Sequence, residues 1–128
     1  MRKLGINTAI PLAALVVLAT AAGAVTEYEF QFHNYPNPFF PGDSDASFSY
    51  ELPSPGNVSI YVYDFEGALV RTVEENYPQV YGKHEGELEW DGRDDTGEIV
   101  APGPYVVVLE VNIAGEVYRD TFVAVVNR

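Results

Sequence analysis

Few residues of this chain are equipped for chemistry, and those few do not form a reacting set. The sequence contains no cysteine and two histidines, His33 and His84. A thiol nucleophile, a Cys-type zinc site and a lipoprotein anchor cysteine are therefore excluded. His33 falls on the polar side of an alternating segment and His84 in a charged loop, so neither reads as a catalytic or zinc-binding group. Nineteen acidic residues supply many carboxylate pairs, yet no spacing singles out two as the acid and base of a glycoside hydrolase. The densest set is Asp91, Asp94, Asp95 and Glu98. These oxygens could suit calcium, a hard cation that takes about six to eight of them. The spacing departs from the EF-hand loop, and Asp beside Gly is equally the composition of turns. The expectation is no metal, with this loop as the candidate should one bind. No cofactor motif appears, and the chain reads as non-catalytic.

A second chemistry is stacking on sugar rings, which the nine tyrosines could support. Tyr61 and Tyr63 share one face of an alternating segment, although cross-strand pairing explains them as well. Val106 and Val108 alternate with Tyr105, Val107 and Leu109. Apolar residues on both faces mean a strand covered on both sides or an outer face used by a partner. Tyr28, Phe30 and Phe32 form a third apolar row that needs cover. These residues make up the candidate interaction surface. Asn57-Val58-Ser59 matches a glycosylation acceptor, which a bacterial-looking chain seldom uses.

The elements that must position these groups are strands. Arg2 and Lys3, an apolar run and Ala22-Gly23-Ala24 have the order of a secretory signal peptide, expected over residues 1–24. The expected mature domain is 25–128, with no stable membrane span. It keeps five basic residues against 19 acidic ones, a balance that argues against nucleic acid and anionic lipid as partners. Without disulfides such a domain is held by its core. Alternation predicts a strand over Thr26 to Phe32, a second through Phe48, Tyr50 and Leu52, and a third with Val58, Ile60 and Val62 inward. Asp64 to Gly67 is a turn into Ala68 to Val73, Glu74 to Gly86 is the longest loop, and Leu88 and Trp90 mark the next strand. Tyr105 to Val111 and Val117 to Val126 form a hairpin around Ala114-Gly115. About seven strands with turn residues between them predict an immunoglobulin-like β-sandwich.

Four pieces stand in a fixed order: Asn34-Tyr35-Pro36-Asn37-Pro38-Phe39, the run Pro55 to Gly67, Trp90-Asp91-Gly92-Arg93-Asp94-Asp95-Thr96-Gly97, and Gly103-Pro104-Tyr105. This order resembles the immunoglobulin-like domain of the flagellar hook-capping protein (FlgD-type). It equally resembles the C-terminal (type A) sorting domain of the type IX secretion system. The resemblance spans Asn34 to Arg128. It implies a structural role for Pro36, Asn37, Pro38, Phe39, Gly67, Trp90, Gly97, Gly103 and Tyr105. It also implies export to a bacterial cell surface or the medium by way of the periplasm. The sorting family carries a large passenger and the hook-capping family an assembly region. Neither precedes the domain here, so the expectation is a self-standing exported domain or the remnant of a longer gene. The expected function is a non-catalytic module for attachment, sorting or assembly. Its expected partners are a protein, a second copy, secretion machinery or a cell-surface glycan, met through the sheet surface or its edges. A carbohydrate-binding module and a donor-strand filament subunit are the alternatives.

Overall fold

The computed structural model describes residues 25–128. The expected signal peptide lies outside the described residues. Eight strands follow in chain order: β1 (Val25–Glu27), β2 (His33–Tyr35), β3 (Ala46–Leu52), β4 (Gly56–Tyr63), β5 (Leu69–Gln79), β6 (Gly82–Trp90), β7 (Gly103–Ile113) and β8 (Glu116–Val126). They form a five-stranded sheet in the order β1-β8-β7-β4-β5 and a three-stranded sheet in the order β2-β3-β6. The two sheets enclose one core, giving an all-β sandwich.

The inward rows follow the alternation of the sequence. Val58, Ile60 and Val62 of β4, Tyr105, Val107 and Leu109 of β7, and Phe48, Tyr50 and Leu52 of β3 are all buried. Trp90, at the end of β6, is fully buried.

Two segments depart from the sequence expectation. Thr26 to Phe32 is not one strand. β1 pairs in parallel with β8, the chain then crosses the sandwich, and β2 pairs antiparallel with β3 in the other sheet. Gln31, with φ 58°, bends the crossing segment. The alternation survives because both sheets face the same core, so Phe30 and Phe32 are buried from either side. The expected loop Glu74 to Gly86 is also mostly strand. β5 continues to Gln79 and β6 begins at Gly82. β5 is an edge strand with three register irregularities against β4, so its outer half is exposed on both faces and shows no alternation.

Candidate functional site

The motif residues collect at one end of the sandwich. The Trp90 indole N–H donates to the Arg93 carbonyl at 2.9 Å. The rings of Phe39 and Tyr105 meet it edge-on, with centroids at 5.5 and 5.6 Å. The Tyr105 hydroxyl donates to the Ala101 carbonyl at 2.6 Å, tying the loop before β7 to that strand. Asn37 acts as a short substitute strand. Its amide Nδ2 donates to the Val123 carbonyl at 3.0 Å, and its Oδ1 accepts the Val125 N–H at 2.9 Å. The Phe39 backbone then continues the ladder, donating to Val125 and accepting from Asn127. Prolines on both sides lack N–H groups, so the side chain does what the backbone there cannot. Gly92, with φ +80°, lies under Pro41, where an added Cβ would come within 2.5 Å of the proline Cγ. Gly67 closes the β4–β5 turn by donating to the Asp64 carbonyl.

The acidic loop beside Trp90 is organised by its own backbone. Asp94 Oδ1 accepts the Thr96 hydroxyl at 2.6 Å and the N–H groups of Thr96 and Glu98 at 2.9 and 3.0 Å. The Thr96 hydroxyl and the surrounding amides hold this carboxyl below its ordinary range. Asp91 accepts the Arg93 N–H at 3.0 Å and pairs with Arg71 at 3.3 Å. Asp95 accepts the Thr72 N–H at 3.1 Å, covering part of the β5 edge. Three of the four carboxylates of the calcium candidate, Asp91, Asp94 and Asp95, therefore serve separate turns and an edge, and Glu98 joins them through its backbone N–H. Among the described residues no three His, Asp or Glu side chains gather into a metal-sized group.

The histidines are separate as well. His33 is exposed on β2. His84, expected in a charged loop, is buried. It stacks on Tyr50 at 5.4 Å, with Nε2 at 2.8 Å from the Val80 carbonyl and Nδ1 at 3.2 Å from Glu87. This network ties the β5–β6 corner to β3. Gln79 extends it by donating to both the Tyr50 hydroxyl and Glu87. The Gln79 amide, helped by His84, lowers the Glu87 pKa.

The apolar rows proposed as an interaction surface lie largely inside the fold. Phe30 and Phe32 belong to the main core. Val106 and Val108 do face the outer side of the larger sheet, yet Tyr63 and Phe65 pack over them and leave them fully buried. The strand is thus covered on both sides by its own chain. Tyr61 and Tyr63 are half-buried, and burial raises both phenol pKa values. The Tyr61 hydroxyl donates to Glu75 at 3.1 Å. Of the three aromatic residues in the N-terminal row, Tyr28 alone is partly open.

Tyr28 leads to a feature that no run of sequence reveals. At the end of the sandwich opposite Trp90, the crossing segment 28–31 faces the β3–β4 turn. A pocket of 160 Å³ lies between Tyr28, Phe30, Pro53, Ile113 and Tyr118. A wider cleft of 410 Å³ adjoins it, lined by Tyr28, Glu29, Gln31, Glu51, Pro53 and Tyr81. Tyr81 and its neighbour Val80 are 70% and 68% exposed. The sequence signal for this corner is an apolar pair, Val80-Tyr81, between a polar run and a glycine.

No curated protein matches this sequence. Among solved structures, FlgD from P. aeruginosa is similar at 29% identity and a TM-score of 0.55, covering 64% of this chain and 61% of that one. The dimeric latent PorU of Porphyromonas gingivalis shares the fold at 24% identity and a TM-score of 0.56, covering 74% of this chain and 9% of that one. The chain therefore spans under two thirds of FlgD and a small fraction of PorU. The profile of the FlgD Ig-like domain matches residues 37–115, from the substitute-strand asparagine to the tip of the β7–β8 hairpin. With more than half of its length matched, the chain belongs to the FlgD Ig-like domain family.

Proposed function

We propose that this protein is an exported, non-catalytic interaction module that attaches, sorts or assembles a protein at the cell surface. The observation that carries this reading is the use of its polar side chains. Asp64, Asp91, Asp94, Asp95 and Asp120 each accept backbone N–H groups, and Trp90 and Tyr105 each donate to a backbone carbonyl. Groups held in this way build a rigid body and are engaged by the backbone rather than poised as an acid, base or nucleophile. What remains for function is surface. The family match and the likeness to FlgD support a structural module, and the FlgD and PorU neighbours support export. No helix among the described residues is long and apolar enough to cross a membrane. The N-terminal strand is seated on its own β8 and the adjoining Phe30 and Phe32 in their own core, which supports a self-contained module over a donated strand.

Photo-crosslinking tests the reading in the cells that make the protein. A photoreactive residue is placed at exposed positions on each face and at each end, and the cells are fractionated. Discrete protein adducts in the cell-surface or extracellular fraction are expected. Absence of adducts at every position, with the protein retained in the cytoplasm, would remove the proposal.

A further inference from the structure

The cleft at the end opposite Trp90 has a floor of core residues such as Phe30 and a rim of exposed side chains, Glu29, Glu51 and Tyr81. Tyr28 and Pro53 form a wall shared by its two compartments. The Tyr28 ring is fixed by edge contacts to Phe30 at 4.5 Å and Tyr118 at 6.1 Å, so it offers a preset face. Tyr81 also lines the wider compartment and is mostly in water. Two carboxylates, Glu29 and Glu51, line the same compartment. Among the described residues neither side chain takes part in a hydrogen bond or an ion pair. Lys83, opposite Glu51 in the ladder, pairs instead with Glu85 at 3.4 Å.

Aromatic faces beside unpaired carboxylates suit a cation. A Lys or Arg head group over a tyrosine is attracted by the ring and by the acids together. The formal charge of −12 draws basic partners toward the whole molecule. The smaller compartment, at 160 Å³ and mostly apolar, is comparable to a cavity that holds one benzene ring, so it has room for one branched or aromatic side chain. The compartments share a wall, so both side chains must come from neighbouring positions on one face. In an extended segment those positions are i and i+2.

We propose that this cleft docks an extended segment of a protein partner carrying Arg or Lys at one position and a branched apolar or aromatic residue two positions away. The cation lies between Tyr28 and Tyr81 against Glu29 and Glu51, and the apolar side chain enters the pocket beside Ile113. The assignment rests on the reading of the protein as an interaction module and adds the site and the chemistry of the partner.

The test uses the whole exported chain, labelled with 15N, and the probe peptide acetyl-Ser-Arg-Ser-Leu-Ser-amide. Amide shifts are expected at Tyr28, Glu29, Glu51, Ser54 and Tyr81 and not at the Trp90 end. The Glu29→Gln, Glu51→Gln double variant is expected to weaken binding about tenfold, and Tyr81→Ala about threefold, from one exposed cation–π contact and two rim ion pairs. All three side chains belong to exposed residues, so the unfolding midpoint should not move. Replacing the peptide arginine by glutamine should match the double variant. Scattered or absent shifts, equal binding of the glutamine peptide, or shifts at these amides produced only by a neutral oligosaccharide would each overturn the cation cleft. A photoreactive residue at position 81 and another at position 61 separate the two levels of inference. Adducts at 61 without adducts at 81 overturn the cleft and leave the module reading standing. Adducts at neither, nor at any exposed position elsewhere on the molecule, overturn both.

Discussion

Replacing Asp120 by asparagine should remove most of one identifiable pH dependence of stability. Asp120 sits on the inner face of β8 with its residue only 5% exposed. Its Oδ2 accepts the Phe30 N–H at 2.9 Å and its Oδ1 the Thr121 N–H at 2.9 Å, so it pins the crossing segment to the larger sheet. Burial raises its pKa from 3.8 to about 6, against the pull of the Phe30, Thr121 and Phe32 amides and with a push from Glu27. A folded-state pKa above the unfolded one means that the folded protein binds the proton more tightly. Between pH 3.8 and about 6 folding takes up a proton, so stability falls as pH rises. The contribution is complete below the lower value and lost above the higher one. The gap corresponds to about 3 kcal/mol at 1.36 kcal/mol per pH unit. Other carboxylates titrate over the same range, so the quantity to follow is wild type minus Asp120→Asn. Asparagine offers one acceptor oxygen in place of two and leaves one amide unpaired, an offset of about 1–3 kcal/mol that does not vary with pH. Urea unfolding from pH 3.5 to 7.5 should give a difference that falls by about 3 kcal/mol, with its midpoint between 4 and 6. The 13C shift of the Asp120 carboxyl should titrate near 6. A flat difference, or a carboxyl that titrates near 4, would refute burial as the dominant influence.

Three further outcomes follow from the same geometry. Asn37→Ala removes two hydrogen bonds to β8 and should cost about 2 kcal/mol, or about 8–16 °C in Tm for a domain of this size. It also bares the β8 edge and should promote association at high concentration in size-exclusion chromatography, and an unchanged melting curve would show that water replaces the amide. Gly92→Ala combines φ +80° with a Cβ 2.5 Å from Pro41 and should lose roughly 2–4 kcal/mol in denaturant unfolding, whereas a neutral result would mean that the Pro41 turn shifts freely. Ala114→Gly relieves a left-handed residue, φ 54°, at the β7–β8 turn and should gain about 0.5–1 kcal/mol in the same assay, whereas a loss would place the strain elsewhere.

The legible parts of this fold are those in which each residue answers to one neighbour layer. The alternation in β4 and β7 identified their inward rows. Asp64 to Gly67 and Ala114-Gly115 marked the turns, and Leu88 and Trp90 marked the strand that is β6. Periodicity failed where two layers give one signal. Phe30 and Phe32 alternate identically whether their segment stays in one sheet or crosses to the other, so the switch at Gln31 was invisible. It failed again at the edge, because residues 74–79 of β5 have solvent on both faces and carry no pattern. The site was harder still. The acidic loop drew notice by composition, but its carboxylates bond to N–H groups that composition does not locate. The cleft joins residues 28–31, 51–54, 81 and the β7–β8 hairpin, four stretches with no shared motif. Tyr28 drew notice for its place in an apolar row, Pro53 reads only as a turn residue, Tyr81 lies inside the expected loop Glu74 to Gly86, and Glu51 carries no signal of its own.

The two ends of the sandwich differ in what a substitution would disturb, and this bears on how such a domain acquires a partner. At the Trp90 end several polar side chains complete the backbone of a neighbouring segment. Asn37 bonds β8, Asp95 bonds β5, and Trp90 and Tyr105 bond the loop between β6 and β7. A change there is first a change in stability, on the order of 1–3 kcal/mol for each buried group left unpaired. At the opposite end Glu29, Glu51 and Tyr81 belong to exposed residues, and among the described residues neither carboxylate has a hydrogen-bond or ion-pair partner. They can be exchanged for other charges or rings with little effect on folding. The stretch matched to the family begins at residue 37, so Tyr28, Glu29 and Gln31 precede it. One wall of the cleft is thus built from residues outside the matched region, while Glu51, Pro53, Tyr81 and Ile113 lie within it. In such an arrangement membership in the FlgD Ig-like family determines the frame and not the partner. For the cleft proposed above, the charge and shape of its rim are then the features that select the partner of this domain.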